Sequence, residues 1–302
     1  MGRDHRTSTD WLIFAVLTAL WGSAYAFTRL AVSQSTPEQG FPPEFIVPAR
    51  LTAGAIVLLI AAQLSGQKWP AAAEWKSWLA MAVMGTVGTI MPFILITYAQ
   101  ETVDSSLAAL YVSAAPLMVA VMAHLLFRDD RLSAPKAIGV GVGFIGVSVL
   151  FGPEAITAFG SASVLAQAMC LGATFFYALS TITARFARDI PPFIFAAGFL
   201  SMGAVASWPM LLTVDVQSLT PSVAAIAGVT GLAIGPTALA SIMYMLLIRR
   251  TSATFLSMTG YTIPIFSAII GYFAFGEVQS WNAALAFALI LGGVWLSQRG
   301  AR

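Results

Sequence analysis

Charge is what this sequence has least of. Asp, Glu, Lys and Arg make up 9% of its 302 residues, against 58% that are hydrophobic. A soluble domain carries roughly 25% charged residues, so a water-soluble fold of this length is excluded and the solvent for most of the chain is lipid. There is one cysteine, Cys170, inside an apolar run. It excludes an internal disulfide and a cysteine metal cluster, and no cofactor or metal is expected. The net charge of +2 implies no polyanionic partner, so no nucleic acid is expected. At membrane depth there is no HExxH, no GxSxG and no pair of aspartates, which argues against a membrane-embedded enzyme. No Asp or Glu falls near the centre of an apolar run, where a proton- or sodium-coupled pump usually carries one. That omission favours facilitated diffusion or exchange over a proton-coupled exporter.

What is present is a series of apolar runs. A spanning helix needs about 20 apolar residues. Cutting the chain at charged or Pro/Gly-marked gaps predicts ten helices, over about 11–31, 44–63, 77–98, 104–126, 134–151, 161–184, 192–213, 222–247, 252–275 and 280–298. The connections leave no room for an extramembrane domain. Arg3 and Arg6 ahead of an apolar stretch, with Ala24-Tyr25-Ala26 behind it, imitate a cleaved leader. The run continues to Ala31, long enough to span, so cleavage is not expected.

Lys and Arg collect in cytoplasmic loops. With the N-terminus inside, the inner side holds Arg3, Arg6, Lys68, Lys76, Arg128, Arg131, Lys136, Arg185, Arg188, Arg249, Arg250, Arg299 and Arg302. The outer loops hold acids, among them Glu101, Asp104, Glu154, Asp215 and Glu277. This alternation predicts both termini in the cytoplasm. Short loops of this kind look bacterial, which places the chain in the inner membrane.

The two halves, 1–151 and 152–302, resemble each other. Pro42-Pro43-Glu44-Phe45-Ile46 matches Pro191-Pro192-Phe193-Ile194. Tyr98 falls opposite Tyr244, Pro116 opposite Pro264, Phe127 opposite Phe275, and Asp129 opposite Glu277. Order is kept, at offsets of about 146 to 156. Five helices per half is an odd number, so the second repeat enters from the opposite side. Inverted repeats of this kind are built for alternating access around a midplane site.

These residues resemble the drug/metabolite transporter superfamily, in its EamA-type members. The resemblance rests on Leu20-Trp21-Gly22-Ser23, Pro48-Ala49-Arg50, and the run from Tyr98-Ala99-Gln100 through Ala114-Ala115-Pro116 to Phe127-Arg128-Asp129. It continues in Tyr261-Thr262-Ile263-Pro264 and Gly276-Glu277. It implies an all-α membrane protein of ten helices, as two inverted five-helix repeats around a central cavity. The layout is closest to the aromatic amino-acid exporter type. The sequence departs from the family where Arg128-Asp129-Asp130 stands in place of Gly-Glu.

Candidate site residues follow. Pro116 and Pro264 each remove a helical hydrogen bond. They read either as packing kinks or, given their symmetry, as hinges lining the cavity. Trp21 and Tyr25 share a helix face, with Ser23 nearby. Tyr177 with Ser180 and Thr181 repeats that face in the sixth helix. Tyr111, Ser113, Tyr244 and Tyr261 add hydroxyls. Each of these serves either substrate binding or an interhelical hydrogen bond. Tyr98 reads as an interface-belt residue and His124 as a packing residue. Arg50 either snorkels and pairs with an outer acid such as Glu44, or meets a substrate carboxylate; the structural alternative is preferred. Arg29 reads as an end-of-helix anchor. Gly139, Gly143 and Gly146, with Gly292-Gly293, read as close packing or contacts of a homodimer. The partners expected are therefore lipid, a small-molecule substrate with an apolar body and, on the dimer alternative, a second copy. Sugar phosphates are disfavoured, because Arg50 alone offers a cavity cation.

Overall fold

The computed structural model describes residues 7–34, 36–126, 132–151, 162–185, 187, 189–251, 255 and 258–299. Every regular element among them is helical. In chain order they are α1 (Ser8–Val32), α2 (Pro43–Leu64), α3 (Trp75–Ala99) and α4 (Ser105–Leu126). Then come α5 (Ala134–Phe151), α6 (Ala162–Arg185) and α7 (Pro192–Ser207), which is prolonged by a 3-10 turn over Trp208–Thr213. The last are α8, from Val223 to Arg250, α9 (Thr259–Phe275) and α10 (Trp281–Arg299).

Seven of these helices are long and apolar enough to cross a membrane. The apolar stretches Ala134–Leu150, Thr259–Phe275 and Trp281–Ser297 are shorter. Leu64, Leu212, Phe273 and Val278 are each more than 80% exposed, an apolar surface that only lipid covers without penalty. The chain is a multi-pass membrane protein. The arginines Arg3, Arg6, Arg128, Arg131, Arg188 and Arg302, with Phe127, Asp129, Asp130 and Glu154, lie outside the described residues.

Local chemistry sets the helix ends. Thr7 and Asp10 close a reciprocal capping box at the start of α1. Proline stands in the first turn of α2 and α7, where its missing N–H costs nothing. α9 ends on Gly276, whose φ of +67° suits a residue without Cβ.

Two helices are not α-helical throughout. α3 widens to a π-helix over Thr86–Ile90, and α8 does so over Ala233–Leu239. Pro92 follows the first and Pro236 lies inside the second. The two π segments start at Thr86 and Ala233, 147 positions apart, within the offset of about 146 to 156 seen between the halves in sequence. π segments are rare and frequently mark functional sites. α4 is also interrupted, at Ser113-Ala114, just before Pro116.

The packing partners keep the same pattern when the halves are exchanged. α1 packs on α9 and α8, and α6 packs on α4 and α3. α2 packs on α8, and α7 on α3. The pairs α2–α7 and α5–α10 map onto themselves. At one end of the bundle Arg250 Nε donates to Asp10 at 2.7 Å, and the N–H of Phe193 donates to Gln67 at 3.1 Å. These bring together the start of α1, the ends of α2 and α8, and the start of α7. At the other end Tyr98 donates to the Glu44 carboxylate, and the N–H of Ser222 to the carbonyl of Gln39 at 2.9 Å.

The glycines of α5 and α10 pack against each other within the chain. A Cβ on Gly293 would lie 2.5 Å from the Gly139 oxygen and 2.7 Å from the Gly143 Cα. One on Gly146 would lie 2.9 Å from the Ile290 nitrogen. Gly139, Gly143, Gly146 and Gly293 thus pack within the chain, as the packing alternative expects, whereas a Cβ on Gly292 would meet open space. Gly293→Ala is expected to push the two helices apart and to cost about 1–3 kcal/mol. A thermal melt in detergent checks this, and an unchanged melt would refute the tight contact.

Candidate functional site

The described polar groups gather in two zones. The first is at the end of the bundle where α1 finishes and α4 starts. Gly276 turns the chain so that Glu277 reaches back toward α4. Gly271 leaves room for it: a Cβ there would lie 3.0 Å from the Glu277 Cδ. The carboxylate accepts the Ser105 N–H at 3.0 Å, the Ser105 hydroxyl at 2.7 Å and the Ser106 N–H at 2.9 Å. It also accepts from the Ser106 hydroxyl and from Arg29 Nη1. An acid at a helix N-terminus meets otherwise unpartnered N–H groups and the positive end of the helix dipole. Arg29 also donates to Asp104 at 2.9 Å and lies 4.7 Å from the Phe275 ring centroid. Gln279 Nε2 donates to the Ser106 hydroxyl at 2.6 Å.

The cluster ties α1, α4 and α9 together. Its two principal acids shift in opposite directions. Burial pushes Glu277 up, but the hydrogen bonds from Ser106 and Ser105 outweigh it and hold the carboxyl below its ordinary value. Burial and then the Glu277 charge push Asp104 up, against the pull of Arg29. Asp104→Asn is therefore expected to leave the melting temperature at neutral pH essentially unchanged, because ionised Asp104 gains nothing net from folding. A large loss on differential scanning would show that Asp104, not Glu277, anchors Arg29.

The second zone is interior. Arg50 is 8% exposed. Its Nε donates to the Thr237 hydroxyl at 2.7 Å, in the π segment of α8. Its guanidinium carbon sits 3.7 Å from the Phe93 ring centroid, on α3. Tyr25 and Tyr177 lie within electrostatic reach of it and of each other. The expected pairing with Glu44 does not form. Six residues along a helix turn the two side chains about 120° apart, and Glu44 takes the Tyr98 hydroxyl instead. Arg29 likewise is more than an end anchor, since it joins two acids from other segments.

The predicted site residues divide in two. The hydroxyls of Tyr25, Tyr177, Tyr244 and Tyr261 have no hydrogen-bond partner among the described residues. Tyr25, Tyr177 and Tyr261 border one apolar cluster. Trp21 and Tyr244 meet beside another, with ring centroids 5.6 Å apart. The other hydroxyls are occupied. Tyr111 donates to Gln167 at 2.5 Å. Ser23 and Ser113 turn back onto the carbonyls of Leu20 and Leu110, and Ser180 donates to the Met84 sulfur. Pro264 is buried in α9, and Pro116 faces Gly260 of α9 across the helix pair. His124 Nδ1 accepts the Leu132 N–H at 3.1 Å, as a packing residue does.

The sequence profile of the EamA-like transporter family matches residues 9–152 and again 164–298. The chain belongs to the EamA-like transporter family. Among similar proteins is an uncharacterized inner membrane transporter, YedA, of Escherichia coli. It is 24% identical, over 95% of this chain and 91% of that protein. Another is a probable terminal-alkyne amino-acid exporter of Streptantibioticus cattleyicolor, 24% identical over 95% and 92% of the two chains. A solved crystal structure superposes with a TM-score of 0.65 at 21% identity, covering 97% of this chain and 98% of the other; the likeness is one of fold. Membership of this family, and relatives named as transporters, point to a transporter rather than an enzyme. Within this EamA-like chain the Gly276-Glu277 pair now has a physical part: the glycine makes the turn and the acid caps α4.

Proposed function

We propose that this protein exports small organic solutes, amino acids or related amphipathic metabolites, by alternating access. The observation that carries the reading is the set of interior tyrosines, Tyr25, Tyr177, Tyr244 and Tyr261, whose hydroxyls meet no partner among the described residues. A buried hydroxyl left unpaired costs about 1–3 kcal/mol; the Tyr261 hydroxyl is in that position, which supports a water or a solute beside it. Aromatic walls with polar tips suit a solute with an apolar body and few polar groups. The amino-acid exporter among the relatives fits this class.

Two inverted five-helix repeats supply the motion. The paired π segments, the exchange-invariant packing and the match of each half to the family profile support this architecture. Pro116 and Pro264 act as hinges beside the cavity, and the π segments add two more places where a helix can bend. Both termini face the cytoplasm of a bacterial cell, across its inner membrane. A cysteine at Asp215 tests that orientation, since Cys170 is fully buried and gives no background. An impermeant thiol reagent is expected to label it in intact cells; labelling only after lysis would reverse the topology.

Coupling is by facilitated diffusion or exchange. Glu277 is the deeply buried acid of the outer cluster, yet its carboxyl is held below the ordinary range and carries no proton near neutral pH. The deciding experiment is uptake of labelled amino acids into liposomes holding the purified protein, with and without a pH gradient. Saturable uptake that ignores the gradient is expected. Gradient-driven uptake would establish proton coupling instead, and no flux of any amino acid would refute the substrate class.

A further inference from the structure

The transporter reading leaves one group without a task. Arg50 is a buried cation in a lipid-embedded bundle, and no carboxylate reaches it among the described residues. A charge at membrane depth costs about 3 kcal/mol or more, and buried charges are ordinarily paired. Arginine has five N–H donors. Thr237 takes the one on Nε, and Phe93 covers one face of the plane. The two terminal amino groups make no hydrogen bond among the described residues.

The guanidinium is therefore held from two sides with its outer edge free. That edge is a planar fork, matched to the two oxygens of a carboxylate. Its holders come from different helices: Thr237 from α8 and Phe93 from α3. Val47 and Leu51, flanking it along α2, belong to the apolar cluster on which Phe93 and Tyr244 pack. Tyr25 and Tyr177 bring hydroxyls from the first helix of each half. A purely structural arginine would have its donors consumed; this one keeps its terminal donors unspent among the described residues.

We propose that Arg50 is the anchor for a carboxylate on the transported solute, gripping it through both terminal amino groups, with Thr237 and Phe93 as positioning residues. The inference deepens the transporter reading and rests on it. It names the substrate class as small monocarboxylates with an apolar body, amino acids among them. A phosphate would place two negative charges against a single cation and is disfavoured.

The test compares acids with their neutral counterparts on the wild-type protein. Binding of the twenty common amino acids, phenylacetate and inorganic phosphate is read by thermal shift and by intrinsic tryptophan fluorescence in detergent. For each acid that binds, the matching carboxamide is then titrated. The amide is expected to bind about ten- to a hundredfold more weakly, the worth of one to two charge-assisted hydrogen bonds. R50K keeps the charge but loses the fork, and is expected to weaken the acid similarly while leaving the amide unchanged. T237V is expected to weaken the acid less.

Equal binding of acid and amide would overturn the proposal, and so would a folded R50K protein with unchanged affinity for the acid. Binding of phosphate alone would overturn the carboxylate class. Flux of neutral solutes without any carboxylate binding would overturn the anchor and spare the transporter. Absence of all solute flux in liposomes would strike the transporter reading itself. The acid–amide comparison needs no variant, so it decides even where R50K fails to fold.

Discussion

Glu277→Gln is expected to cost the detergent-solubilised protein about 3 kcal/mol or more of unfolding free energy. The side chain is 2% exposed and its partner Arg29 is 16% exposed, so water cannot replace what is lost. The substitution keeps the shape and removes the charge. It leaves Arg29 facing the amide, and it turns one of two acceptor oxygens into a donor aimed at N–H or O–H groups of Ser105 and Ser106. Donor against donor is worse than a missing bond. The pH dependence has a definite sign. The folded carboxyl lies below its ordinary value of 4.5, so its stabilisation is fully present above that value. It is lost as pH falls through the folded value. Wild type is therefore expected to melt lower as the buffer is taken below about pH 4.5, and the variant to show a flatter profile. An E277Q protein that melts with the wild type would show that the Ser105–Ser106 helix start is held by something else.

That cluster shows where sequence reading stops. The places of the helical segments were legible, because apolar runs end at charges, prolines and glycines, but three of those runs form helices shorter than a candidate span. An ordered series of weak matches between the halves was legible too, and the exchange-invariant helix packing accords with it. The partners of individual charges were not. Arg29 and Glu277 stand 248 positions apart, and nothing local in either segment says that α1 and α9 end side by side. The available signal was that Arg29, Asp104 and Glu277 all fall at helix ends that the charge alternation assigns to one side, where a basic residue among acids needs a partner. Arg50 failed for a different reason. Depth along α2 was read correctly, but its helical face was not weighed, and the face points away from Glu44 toward α8. The π segments left no trace in the hydrophobic pattern, since an apolar helix in lipid carries no sharp stripe to be shifted. Among the hydroxyls, residue type alone could not separate Ser23 and Ser113, which fold back on their own helices, from the tyrosines, which are too long to do so.

That separation sets up the second large effect. Tyr177→Phe and Tyr25→Phe each delete one oxygen that bonds to no described residue. Neither leaves a protein partner unsatisfied, so both proteins are expected to melt with the wild type. If the hydroxyls meet the solute, each loss removes about 1–3 kcal/mol of binding, a fall in transport of roughly tenfold or more. Trp21→Ala is expected to join them, with normal expression and impaired flux, because the ring faces Tyr244 at 5.6 Å across α1 and α8. Tyr111→Phe is the contrasting case. Its hydroxyl donates to Gln167 at 2.5 Å, and both residues are buried. Removing it strands an amide oxygen at a cost of about 1–3 kcal/mol. Y111F is thus expected to lose stability first, and activity only in proportion to the protein that remains folded. Flux per folded molecule in liposomes, set beside the melting curve, distinguishes the two classes. Full flux in Y25F, Y177F and W21A together would remove the interior aromatics from the transport path, whatever Arg50 binds.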